Sequence, residues 1–91
     1  MTSNVFKVSG AITFETALAL RKRGDRWIEK EKDILVDFQA VDQCNSAGLA
    51  VMTAWLRKAK RLNKSIGFIK IPSSLRVIAA VCGMTEILGI E

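Results

Sequence analysis

Large apolar and polar residues alternate over VFKVS at 5–9, which predicts a strand. Gly10 ends it in this reading, and Thr13 caps a helix that starts at Phe14 with Glu15 and Thr16 in its first turn. Ala17, Leu20, Gly24, Trp27 and Ile28 then recur at helical spacing on one face. Glycine costs about 1 kcal/mol inside a helix, so Gly24 on that face predicts close approach of the helix to a sheet. DILVDF at 33–38 reads as a buried strand and residues 39–45 as a loop. A long helix is predicted from Ser46 to about Leu62, and IGFIKI at 66–71 is a strand closed by Pro72. Ser73 caps a third helix whose inner face is Leu75, Ile78, Ala79 and Cys82, with Gly83 as its stop. Glu86 to Ile90 reads either as a last short strand or as a tail. Strands alternating with helices through short connections imply one α/β domain over 1–91 with a largely parallel sheet.

Wound at 100° per residue, the central helix puts Val51, Leu62, Trp55, Gly48, Ala59, Met52, Leu56 and Leu49 in one broad stripe, the expected core. The opposite side begins with Ala47, Ala50, Thr53 and Ala54 and continues with Arg57, Lys58, Lys60 and Arg61. A helix that faces water normally carries charge along its whole outer side. The small neutral half therefore reads as a docking face, with the basic half steering an acidic partner. Alanines as plain helix formers account for the same residues.

Charge and chemistry narrow the function. The 91 residues carry a net charge of +5, with basic clusters RKRGDR at 21–26 and RKAKRLNK at 57–64. Both fall at or beyond the middle of a predicted helix, where cations complement the macrodipole. Solvated helix ends are thus favoured over a phosphate-binding stripe, and no nucleic-acid partner is expected. There is no histidine, so the commonest general base and metal ligand are missing. Cys44 and Cys82 are too few and too far apart for a zinc site and read as small buried hydrophobes rather than a disulfide. Asp37 and Asp42 could hold magnesium but read more simply as turn and cap residues. No phosphate-cradling glycine loop is present. The reading is a binding module, not an enzyme, with no catalytic residue, no cofactor and no metal. No uncharged run reaches the roughly 20 residues of a membrane span, and Met1 to Ser9 resembles no signal peptide, so a cytoplasmic protein is expected.

Ser46 heads the central helix. Either Asn45 or Ser46 can cap it by accepting a backbone N–H bond. A hydroxyl at a helix N-terminus is also a place where an added phosphate would meet the positive end of the dipole.

SGAIT at 9–13, FETA at 14–17, VDF at 36–38, NSAGLA at 45–50 and WLRKAK at 55–60 together resemble STAS domains over about Val5 to Leu88. NSAGLA is similar to that family's D-S-x-G-L switch segment, with Asn45 in place of the aspartate. The resemblance implies a STAS-like (SpoIIAA-like) α/β fold, a mixed β-sheet of four or so strands packed by three or four helices. SGAIT, FETA, Gly24 and WLRKAK look most like the small STAS subunits of Mla-type phospholipid ABC transporters in Gram-negative bacteria. It then implies a non-catalytic subunit that binds an MlaF-like ATPase, indirectly contacts the membrane permease, and supports outer-membrane lipid asymmetry. Such a protein is cytoplasmic and held at the inner membrane by its partner. The contact implied is Asn45, Ser46, Ala47, Gly48, Ala50, Thr53, Ala54 and Arg57. The alternative is an anti-sigma-factor antagonist, with Ser46 as the acceptor of phosphate from a partner kinase.

Overall fold

Apolar residues at alternate positions bring the strands into one sheet. The computed structural model describes residues 5–90. Strand β1 (Val5–Ile12) lies beside β2 (Asp33–Cys44), and β2 lies beside β3 (Ser65–Ile69), all parallel in the order β1-β2-β3. The register sets Val5 against Leu35 and Val36 against Phe68. Among the described residues this is a three-stranded parallel sheet, not the mixed sheet of four or so strands that was expected. The C-terminal segment accounts for part of the difference. Residues 85–88 form a short helix, α4 (Thr85–Leu88), rather than a strand. Gly89 turns left-handed (φ +67°), which lets both Leu88 and Ile90 reach the core.

β2 also continues six residues past the expected strand end. Its second half pairs only with β1, through two register shifts flanking Ser9 and Gly10. Gly10 therefore does not end β1 but sits inside it at φ +80°, the conformation a bulge of this kind exploits. With β3 paired only as far as Asp37, residues 39–43 are mostly exposed and polar, so no apolar run marks them as strand.

Helix α1 (Ala17–Lys30) is entered through a turn stapled by two threonines. The Thr13 backbone N–H donates to Thr16 Oγ1 (2.9 Å), and the Thr16 N–H donates to Thr13 Oγ1 (3.4 Å). This reciprocal pairing ties a turn over 13–16, but α1 itself begins at Ala17 with Thr16 at its N-cap position and no side-chain cap bond, so the helix start expected at Phe14 under a Thr13 cap does not form. Helix α2 (Ala47–Arg61) follows β2, and α3 (Ser73–Val81) follows Pro72. Ser73 is the first residue of α3, which has no side-chain cap bond, so the expected serine cap does not form. Gly83 (φ +69°) stops α3 as expected, with the Met84 N–H returning to the Ala79 carbonyl at 2.8 Å.

The core lies on one face of the sheet, where Val8, Ile34, Val36, Phe38 and Phe68 meet Leu20, Ile28, Val51, Met52, Trp55, Ala59 and Leu75. Trp55 is its fully buried centre. Its indole lies directly over Gly24, where no side chain would fit, and its Nε1 donates to the Arg21 carbonyl (3.1 Å). Gly24 thus serves the approach of α1 to α2, not of α1 to the sheet. Phe6 closes the cluster against Trp27 and Trp55, with centroids 5.9 and 5.8 Å away. Lys64 locks the far ends of the two helices, donating to the carbonyls of Ile28 (2.6 Å) and Glu29 (2.8 Å). Leu62 drops out of the expected stripe and is 42% exposed, because α2 ends before it.

Candidate functional site

The seam between β2 and α2 has a division of labour that the sequence left open. Asn45 is the cap: its Oδ1 accepts the Ala47 N–H at 2.8 Å. The exposed Ser46 hydroxyl makes no hydrogen bond to any described residue. It stands free at the helix N-terminus.

Ala47 and Gly48 do not lie on the outer face, where Ala47 in particular was expected; both are buried. The first turn of α2 is enclosed by its neighbours, which a wheel drawn for one helix cannot show. Cys44 Sγ occupies the space a Gly48 side chain would need, and Leu75 of α3 is at contact distance behind it. Burial pushes the Cys44 thiol above its ordinary pKa, partly offset by the hydrogen bond from the Gly48 backbone. Neither cysteine is in a disulfide. Cys44 is half-buried and Cys82 exposed, so the expectation of two buried hydrophobes fails for Cys82, which sits at the end of α3.

From Ala50 onward the outer face is as expected. Ala50 and Arg57 are exposed, Thr53 and Ala54 half-exposed, and the Thr53 hydroxyl turns back to the Leu49 carbonyl (2.8 Å). These residues floor a groove of about 520 Å³ shared with Ser46, Arg21 of α1, and Cys82 and Met84 beyond α3. A second groove, of about 270 Å³, runs along the other side of Ala50 beneath Phe14, Leu18 and Arg21. Ala50 and Arg21 belong to both, so the two grooves form one surface split by a low alanine ridge.

The walls of this surface were not foreseen. Phe14 is 73% exposed and Leu18 62%, and both line the smaller groove. Phe14 and Leu18 stand together along one groove, and a contiguous exposed apolar patch, unlike a lone exposed side chain, marks an interaction surface. Phe14 and Leu18 are four apart and lie off the Leu20, Gly24, Ile28 stripe, a signal that was present in the sequence.

The basic half of α2 divides too. Lys58 turns to α1 and pairs with Glu29 at 2.7 Å, whose carboxyl is held below its usual range first by that hydrogen bond and then by the Lys58 charge. Arg57 makes no ion pair or hydrogen bond to any described residue. Among the described residues no three His, Cys, Asp or Glu side chains gather where a metal could sit. No helix among them is long and apolar enough to cross a membrane. What the arrangement offers is contact area: a shallow apolar surface with cationic edges and one free hydroxyl.

Strands and helices alternate from β1 to α3 over a sheet covered on one face, with the exposed Ser46 opening the second helix, which is the STAS-like arrangement the sequence resemblance implies apart from the all-parallel sheet. The family model described as Mlab, STAS domain matches residues 2–89, and the chain belongs to that family. No curated protein sequence matches it. Among solved structures, a chain of the Acinetobacter MlaFEDB complex in its ATP-bound Vtrans2 conformation is 29% identical, with a TM-score of 0.82 over 92% of this chain and 90% of that one. The anti-sigma factor antagonist SpoIIAA in its unphosphorylated form is 13% identical, with a TM-score of 0.73 over 92% of this chain and 77% of that one. An anti-sigma factor antagonist from Mycobacterium paratuberculosis is 24% identical, with a TM-score of 0.79 over 92% and 72%. At those identities the last two show the shared fold.

Proposed function

We propose that the chain is a single STAS domain acting as the non-catalytic subunit of an Mla-type phospholipid-transport ABC system. It binds the MlaF-like ATPase at the cytoplasmic side of the inner membrane and so supports outer-membrane lipid asymmetry. The observation that carries this reading is the surface over α2, where Ala50, Thr53 and Ala54 form a small-residue floor between Phe14 and Leu18 on one side and Cys82 and Met84 on the other. Small residues let another backbone come close, and exposed apolar walls gain from being covered. The likeness to a chain of the MlaFEDB complex supports a transporter ATPase as the occupant. Ser46, Ala50, Thr53, Ala54 and Arg57 make the contact, while Asn45, Ala47 and Gly48 shape it from beneath. Co-purification of the tagged chain from its own cells tests this: the wild type brings down the ATPase and Ala50→Glu does not. Equal recovery with both contradicts it.

A second reading has its own observation. The Ser46 hydroxyl is exposed and uncommitted at a helix N-terminus, as a phosphoacceptor must be. The anti-sigma-antagonist reading then predicts phosphate on Ser46 in protein from native cells, and its absence under all growth conditions argues against it.

A further inference from the structure

Charge is unevenly distributed over the molecule. Eleven of its 14 basic residues, but only four of its nine acidic ones, lie in segments 21–33 and 57–64. These segments are the C-terminal parts of α1 and α2 with the residues that follow them. The Lys58–Glu29 pair and the Lys64 bonds to Ile28 and Glu29 hold them side by side. Two of the four carboxylates are already engaged, Asp25 with Arg21 (3.8 Å) and Glu29 with Lys58.

This basic pole meets the apolar surface at two residues, Arg21 and Arg57. Both line the larger groove, which no acidic side chain among the described residues lines, and Arg21 lines the smaller one as well. Covering the surface would strip water from both guanidinium groups. Leaving a charge buried without a counter-charge is strongly unfavourable, and no described residue forms an ion pair with Arg57. Asp25 is too distant from Arg21 for a good hydrogen bond.

We propose, on the basis of the docking reading above, that the segment of the ATPase that covers this surface is acidic along one border. Its apolar strip rests on Ala50 and Ala54 between Phe14 and Met84, and its carboxylates meet Arg21 and Arg57. The basic side chains beyond them, Lys60 and Arg61, raise the rate of encounter.

The test is the association of the chain with the MlaF-like ATPase of its own system at several salt concentrations. Three variants are compared: Arg21→Glu with Arg57→Glu, Lys7→Glu with Lys70→Glu as an equal charge change elsewhere, and Ala50→Glu. All are at exposed positions, and circular dichroism checks their folding. The expected result is at least a tenfold loss of affinity for the first, mostly in association rate and with a flattened salt dependence, little change for the second, and no binding for the third. If Ala50→Glu abolishes binding but the arginine reversals leave affinity and salt dependence unaltered, docking stands and the acidic border is overturned. If Ala50→Glu binds normally, the docking reading falls and takes this inference with it.

Discussion

The indole of Trp55 occupies the space above Gly24 and donates its Nε1 proton to the Arg21 carbonyl on the same helix. One residue thus sets the distance between α1 and α2, and therefore the width of the smaller groove between Phe14, Leu18 and Ala50. Gly24→Ala pits two effects against each other. Alanine gains about 1 kcal/mol of helix propensity, but its methyl must displace a fully buried ring, and overpacking of this kind costs about 1–3 kcal/mol. The clash dominates because the obstacle is a rigid aromatic rather than a flexible side-chain end. Urea denaturation is expected to show a net loss of about 1–2 kcal/mol, with a shift in tryptophan fluorescence.

Asn45, not Ser46, caps α2. Asn45→Ala should therefore cost about 1 kcal/mol of stability, whereas Ser46→Ala should stay within about 0.5 kcal/mol, as an exposed change away from any contact does. Paired denaturation curves measure both. A larger loss for Ser46→Ala would move the cap back to the serine.

Lys64 reaches 36 residues back along the chain to close the last turn of α1. Bonds from a charged donor to backbone carbonyls contribute about 1.5–3 kcal/mol. Lys64→Met keeps the stem and removes the donor, so a loss at the lower end of that range is expected in thermal or urea unfolding.

The two thiols should differ in reactivity. Cys82 is exposed, while burial holds Cys44 protonated beyond its ordinary range. Iodoacetamide at mildly alkaline pH should modify Cys82 first, read by peptide mass spectrometry. The same shift has a stability consequence with a definite sign. Between its unfolded and its raised folded pKa, Cys44 binds more protons in the native state, so its contribution is complete below the unfolded value and is lost as pH rises through the folded one. Cys44→Ser should reduce the alkaline loss.

Helix positions were legible because a 3.6-residue period repeats over many residues. The stripe Leu20, Gly24, Ile28 and the buried set Val51, Met52, Trp55, Ala59 follow directly from it. Residues 39–44 were not legible as strand: they pair on one side only, so nothing selects for apolar alternation there. Ala50, Thr53 and Ala54 could be placed on an outer face from one helix alone. Their walls could not, because Phe14, Leu18, Cys82 and Met84 come from other segments and only the fold brings them together. Gly24 was identified as a close-approach glycine but assigned the wrong partner, since the sequence does not say which element crosses it.

If the proposed docking of a transporter ATPase holds, Ala50 and Ala54 lie under the partner. The most direct measurement is the affinity of Ala54→Arg for that ATPase beside its own unfolding curve. A bulky cation on the ridge should weaken binding at least a hundredfold while leaving the unfolding transition within about 0.5 kcal/mol of wild type, as a surface change does. Unchanged affinity in a folded variant would contradict the account.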